Sequence, residues 1–339
     1  MNALRSLFNS VGEPPRYPIE ALAAAVREGN FRAIGRAISL VENRAPQHQD
    51  FVRLLYVPAR QARVVGVTGP PGAGKSTLVA GLAGRLRESG AKVGILAIDP
   101  TSSFTGGALL GDRVRMHQLY TDPGVFIRSM ATRGAMGGLA PATQDAVDIL
   151  NAARFDWIIV ETVGVGQDEV DVVRSVDTVV LVTLPGLGDD IQAIKAGIME
   201  IADIFVINKA DREGVDRTVR DLQMMLGMTE WAGWTPPILK TVASRGEGLE
   251  GLVKEADSHR RWLESGNELV QRRRDQLRLR VENILKEKVL NTARRDDGLD
   301  SELDRALREG TDPYGIAERL FSGVVAVSTG MPIPQGRSS

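Results

Sequence analysis

Residues Gly69-Pro70-Pro71-Gly72-Ala73-Gly74-Lys75-Ser76 satisfy the pattern G-x-x-x-x-G-K-[ST] at every fixed position, which narrows the fold more than any other stretch. The apolar run 63–68 (RVVGVT) before it reads as a buried strand, and residues 76–86 after it read as a helix. A Gly-rich turn between strand and helix aims backbone N–H groups and a helix N-terminus at one point, where an anion is held. Lys75 is expected to pair with β- and γ-phosphates, and the Ser76 hydroxyl, followed by Thr77, to face Mg²⁺. A turn that binds nothing would need neither Lys75 nor both flanking elements.

A second motif names the base. The apolar run 201–208 (IADIFVIN) ends in Asn208-Lys209-Ala210-Asp211, an N-K-x-D pattern. A carboxylate at Asp211 accepts both the ring N–H and the exocyclic amine of guanine, whereas adenine would leave it unpaired. Such a mismatch costs roughly 10⁴-fold in selectivity. Asn208 is expected to tie this loop to the phosphate loop, and Lys209 to lie along base and ribose. Alone this motif is weak; behind a phosphate loop and at a strand end it favours GTP over ATP.

The 339 residues are 43% hydrophobic and 25% charged with a formal net charge of −1, enough for one large domain with additions or for two. That balance gives no basic field for nucleic acid or an anionic membrane. No apolar run approaches a membrane span and the first ten residues lack a signal-peptide core, so a cytoplasmic location is expected. Cysteine is absent, which removes disulfides, thiolate metal sites and cysteine nucleophiles. Only His48, His117 and His259 occur, too far apart in sequence for an evident histidine metal site.

Three regions follow. Residues 1–60 read as an N-terminal helical extension, with Gly29 stopping one helix and Asn30 capping the next. Residues 61–255 alternate apolar strands (63–68, 92–99, 125–130, 156–162, 178–184, 203–209 and 237–242) with helices, the pattern of a mostly parallel α/β sheet covered on both faces. Ligands of such sheets bind beyond the carboxyl ends of the strands. Residues 256–339 return to helix, where Leu263, Val270, Leu277 and Ile284 recur every seventh residue in an imperfect seam. From the pattern, a helix packed on its own domain and an arm holding a second subunit are equally open. Arg272-Arg273-Arg274, set among Glu264, Glu268 and Asp275, reads as a solvated helix face. Asp312-Pro313 reads as a cap and first helical residue.

Three carboxylates are placed to assist Mg²⁺: Asp99 and Glu161 at strand ends, and Asp112 after the glycine-rich stretch 106–111. Each could instead be a cap or turn residue. Glu161-Thr162-Val163-Gly164 stands where most GTPases have D-x-x-G followed by a water-orienting glutamine. Here Val165 takes the glutamine's place, and an apolar side chain cannot hydrogen-bond to water, so slow intrinsic hydrolysis is expected. Gln167, two residues on, is a candidate to substitute for it, and Arg113, Arg115 and Arg133 are candidates to stabilise transition-state charge, with a structural role for the arginines equally open. The segments 101–111, 133–138 and 185–195 have the glycine-rich character of switch loops.

The chain resembles the MeaB/ArgK-like GTPases, chaperones of adenosylcobalamin-dependent methylmalonyl-CoA mutase and related acyl-CoA mutases. The resemblance rests on GVTGPPGAGKSTL, ILAIDPTSSFTGGALLGDRVRM, FIRSMATRGAMGGL, FDWIIVETVGVGQDEV, LVTLPGLGDDIQAIKAGIMEIADIFVINKAD and SRGEGL, and spans about residues 32–252. It implies phosphate binding by Gly69 to Thr77 and Mg²⁺ held with Ser76, Asp99, Asp112 and Glu161. Guanine would be read by Asn208, Lys209 and Asp211, helped by the amides of Val242, Ala243 and Ser244. Lys195 would belong to a switch loop coupling nucleotide state to the mutase, and the C-terminal helices would form a homodimer. A metal-insertion GTPase of the hydrogenase- or urease-maturation kind shares the fold class, but would need a Cys/His site this sequence lacks. A small-molecule kinase is a third reading, less suited to guanine selectivity and switch-like loops.

Overall fold

The computed structural model describes residues 18–57, 61–99, 119–131, 139–162, 175–186, 201–231, 233–294 and 298–329. Its centre is a seven-stranded sheet in the order β3-β2-β4-β1-β5-β6-β7, with every neighbouring pair parallel. The strands are β1 (Arg63–Thr68), β2 (Val93–Asp99), β3 (Val125–Ala131), β4 (Trp157–Thr162), β5 (Thr178–Thr183), β6 (Ile204–Ile207) and β7 (Ile238–Lys240). All seven coincide with the apolar runs expected from the sequence. Every residue of β4, β5 and β6 is buried, because helices cover both faces and leave no side of these strands to water.

Alternation along each strand feeds two different cores. Val64, Leu96, Phe126, Val160 and Val179 face one layer. It is built from α1 (Ile19–Arg27), α2 (Phe31–Glu42), α3 (His48–Leu55) and the helix after β3, α5 (Leu139–Ala152). Val65, Val67, Ile95, Ile159 and Val206 face the other. There they meet α4 (Lys75–Glu88), which follows β1, and α7 (Leu249–Ser265). A smaller core joins Phe205 and Ile207 of β6 to Leu222 of α6 (Val215–Leu226). Asn30 caps α2 as expected, its side chain accepting from the amides of Arg32 and Ala33 at 3.0 and 3.1 Å.

The chain separates into two compact units at Arg273/Arg274. This point lies inside α8 (Glu268–Ala293). The heptad run is not one helix. Leu263 is buried in α7, which ends at Ser265, whereas Val270, Leu277, Val281 and Ile284 are exposed on α8. The second unit continues with α9 (Gly298–Glu309) and α10 (Pro313–Thr329). Asp312 caps α10 as expected, accepting from the amides of Tyr314 and Gly315 at 2.9 and 3.2 Å.

Candidate nucleotide site

The phosphate loop leaves β1, the middle strand, and runs into α4, so the positive end of that helix's dipole lies at the carboxyl edge of the sheet. Two glycines are obligatory there. Gly69 has φ +142°, and a Cβ on it would lie 2.0 Å from the carbonyl oxygen of Val182 on β5. Gly74 has φ +86°, and a Cβ would lie 2.5 Å from Asn208 Nδ2. The buried ammonium of Lys75 donates to the carbonyls of Gly69 and Pro70 at 2.7 and 3.0 Å. Ser76 Oγ donates to Glu161 Oε1 at 2.6 Å.

β4 delivers that carboxylate. It pairs with β1 in a register that sets Glu161 opposite Val67. At the next residue Thr162 Oγ1 donates to Thr68 Oγ1 at 2.9 Å. Serine hydroxyl and carboxylate form a hard-oxygen pair of the kind that suits Mg²⁺, which takes one or two protein ligands and completes its shell with water and phosphate. Among the described residues no group of three or more His, Asp or Glu could cage a metal, and Mg²⁺ in a nucleotide site needs none. Asp99 ends β2 at the same edge; its side chain lies outside the described residues. So do Asp112, Gly164, Val165, Gln167, Lys195 and Arg113, Arg115 and Arg133.

The N-K-x-D segment follows β6, with only β5 between it and β1. Asn208 is buried and makes three bonds: Nδ2 to the carbonyl of Ala73 at 2.8 Å, and Oδ1 from the amide of Ala243 and the hydroxyl of Thr241, each at 3.1 Å. One side chain thus joins the phosphate loop, the end of β6 and the segment after β7. Lys209 sits in the left-handed region at φ +55° and donates to the carbonyl of Gly72 at 2.7 Å. A non-glycine residue held there marks backbone strain of the kind that collects at functional sites. Asp211 is partly exposed, with Arg245 at 3.4 Å. Of the amides near the base loop, that of Ala243 serves Asn208 and that of Val242 donates to Glu247 O at 3.1 Å. Ser244 follows in a 3₁₀ turn.

A buried ionic cluster at the opposite end of β5 and β6 was not foreseen. Arg272 is paired with Asp203 through both guanidinium nitrogens at 2.8 Å, and Arg260 and Arg273 reach Asp177 at 2.9 and 3.5 Å. His259, fully buried, faces Asp203 at 3.3 Å and Thr178 Oγ1 at 2.9 Å. Arg272 and Arg273 are therefore not a solvated face. Burial alone would raise the Asp203 carboxyl, but hydrogen bonds and charge from Arg272 and His259 outweigh it and hold the group below the usual carboxylate range. The signal in the sequence was an aspartate directly before each of two apolar strands, Asp177 and Asp203.

A family model described as methylmalonyl-CoA mutase-associated GTPase MeaB matches residues 34–297. A putative GTPase of Pyrococcus horikoshii is 48% identical over 313 residues, 91% of this chain and 99% of that protein. The mouse protein named methylmalonic aciduria type A homolog, mitochondrial, is 32% identical over 293 residues, 80% of this chain and 70% of that one. The crystal structure of a LAO/AO transport system kinase aligns with a TM-score of 0.69 at 26% identity, covering 91% of this chain and 98% of that one. With a phosphate loop on β1, an N-K-x-D segment on β6 and these relatives, the chain belongs to the MeaB family of P-loop GTPases and is a GTP-hydrolysing enzyme.

Proposed function

We propose that the chain is a GTP-dependent chaperone that gates cobalamin loading of an adenosylcobalamin-dependent acyl-CoA mutase and protects that partner from inactivation. The observation that carries this reading is the match of residues 34–297 to a family described by its association with methylmalonyl-CoA mutase. The name of the mouse relative points the same way. The carbon-skeleton rearrangement belongs to the partner.

The site's own residues divide the work. Lys75 turns from the carbonyls of Gly69 and Pro70 to the β- and γ-phosphates, while the backbone N–H groups of Gly72 to Thr77 surround them. Ser76 and Glu161 would hold Mg²⁺, with Asp99 and Asp112 in support; bound there, the ion would neutralise charge growing on the phosphate oxygens. Asp211 reads the two N–H groups of guanine, Lys209 covers the base, and Ser244 supplies the remaining backbone amide. Val165 offers the attacking water no hydrogen bond, so intrinsic turnover is slow and the partner raises it. The exposed apolar residues of α8 support a homodimer, and the absence of cysteine suits a reducing cytoplasm. No helix among the described residues is long and apolar enough to cross a membrane.

The test is GTP turnover with and without a purified acyl-CoA mutase of this class, with gel filtration in GDP and in a non-hydrolysable GTP analogue. Turnover should rise about tenfold or more, the scale of a supplied transition-state group, and a complex should depend on the nucleotide. Unchanged turnover with no complex in either nucleotide would overturn the chaperone reading.

A further inference from the structure

We infer that Thr68 and Thr162 are a pair of positioning residues that sets the phosphate loop against the Glu161 carboxylate during GTP hydrolysis. This rests on the assignment of Ser76 and Glu161 made above. Thr162 Oγ1 donates to Thr68 Oγ1 at 2.9 Å, and both residues are 0% exposed. The pair lies on the face of the sheet where Val64 and Val160 also point. Water does not compete for the bond there, so it holds its geometry.

Its position gives the bond a role beyond packing. Thr68 directly precedes Gly69, and Thr162 directly follows Glu161. The register between β1 and β4 closes at Val67 opposite Glu161. The hydroxyl pair extends the tie one residue further, to the residue before Gly69 on one strand and the residue after Glu161 on the other. Successive side chains alternate across a strand, so Glu161 faces Ser76 on one side while Thr162 is anchored on the other. Fixing Thr162 therefore fixes the direction in which Glu161 projects. A shift of about 1 Å in such a carboxylate is enough to cost as much as 10²-fold in rate.

Thr162→Val keeps the volume and removes the donor; Thr162→Ser keeps the donor. For Thr162→Val, kcat should fall about tenfold and the KM for GTP measured in Mg²⁺ should rise by a similar factor, both following from a displaced metal-facing carboxylate. A second readout is GDP affinity by calorimetry. The gain in affinity on adding Mg²⁺ should drop about tenfold in Thr162→Val, and affinity without Mg²⁺ should hold, as expected for a misplaced metal-facing carboxylate. Thr162→Ser should restore both quantities to within about twofold. The double variant Thr68→Val/Thr162→Val removes both ends of the bond, so it folds without an orphaned hydroxyl at this contact if the single variant does not. Its kcat should stay low even where its melting temperature recovers. A kcat that recovers with the melting temperature, or a Thr162→Val enzyme with wild-type kcat and Mg²⁺ response, would overturn the inference. If Glu161→Gln also leaves the Mg²⁺ response unchanged, the site assignment falls first.

Discussion

Ser76 and Glu161 lie 85 positions apart in sequence, yet the serine hydroxyl donates to the glutamate carboxylate at 2.6 Å. One is the second residue of α4 and the other the next-to-last residue of β4, and both are under a tenth exposed, at 8% and 5%. An acidic residue ending an apolar strand is expensive to bury unless something cationic or hydrogen-bonding accompanies it. Here the hydroxyl accompanies it, with the positive end of α4 nearby. On the proposed assignment of Mg²⁺ to this pair, the ion would replace one hydrogen bond and would not require the fold to be remade.

Glu161→Gln should keep that hydrogen bond and lose the charge. We expect a fold that melts within a few degrees of wild type and a loss of roughly 10²-fold in kcat, the scale of removing one transition-state electrostatic contact. Ser76→Ala should raise the Mg²⁺ concentration needed for half-maximal GDP binding. A Mg²⁺ titration of nucleotide affinity checks both, and a wild-type midpoint in each variant would remove these residues from the metal site.

Asp211→Asn reverses one face of the base recognition. An amide presents an N–H where the carboxylate accepted one, which suits the extra carbonyl of xanthine. Preference for GTP over xanthosine triphosphate should fall by roughly 10²-fold or more. The nearby Arg245 is exposed and 3.4 Å away, so Arg245→Ala should change affinity by less than about twofold. Competition binding with the two triphosphates decides the matter. Retained GTP selectivity in Asp211→Asn would show that another group reads the base.

Gly74→Ala tests the junction between phosphate and base loops. The added methyl would lie 2.5 Å from Asn208 Nδ2, at a backbone φ of +86°. Asn208 must then release Ala73 or push the loop aside. GDP affinity should fall at least tenfold, about 1.4 kcal/mol, while circular dichroism keeps the native helix content. Wild-type affinity would mean that the Asn208 tie does not set the loop's geometry.

The strands were legible because burial on both faces forces unbroken apolar runs, as in WIIVET and TVVLVT. The phosphate loop and N-K-x-D were legible because their chemistry demands fixed residue types at fixed spacing. Spatial order was not. Nothing local to 204–207 says that β6 lies with only β5 between it and β1, because that follows from crossovers through distant helices. The Thr68–Thr162 bond was hidden for the same reason, since two threonines in β-rich runs are ordinary strand formers until the register pairs them. Arg272 and Arg273 looked solvated because their sequence neighbours are acidic; the partners that decide their state, Asp203 and Asp177, lie 69 and 96 residues away.

Asp203 offers a stability test with a defined sign. Its carboxyl is held below the usual range, so its contribution is complete above the unfolded value of about 3.9 and is lost as pH falls through the lower folded one. Asp203→Asn leaves Arg272 without its bidentate acceptor and should cost roughly 3 kcal/mol at pH 7. The gap in melting temperature between wild type and variant should then close below about pH 4. A gap that stays constant from pH 7 to pH 3 would show that the pair adds nothing through its charge.

Helix α8 carries Leu277, Val281 and Ile284 at spacings of four and three, so they share one face, and each is at least 38% exposed. An apolar stripe on a helix that has no buried residue of its own is the kind of surface where a partner can be tested for. If that surface is a second copy of the chain, wild type should sediment at about twice 36.7 kDa. Leu277→Asp/Ile284→Asp should then sediment as the single chain, because two carboxylates would have to be desolvated at the contact. Basal GTP turnover should stay within about twofold, since the nucleotide site is assembled within residues 63–245 of one chain. A wild-type protein that sediments at 36.7 kDa at every concentration would exclude the homodimer, and a charged variant that remains dimeric would move the interface off this face.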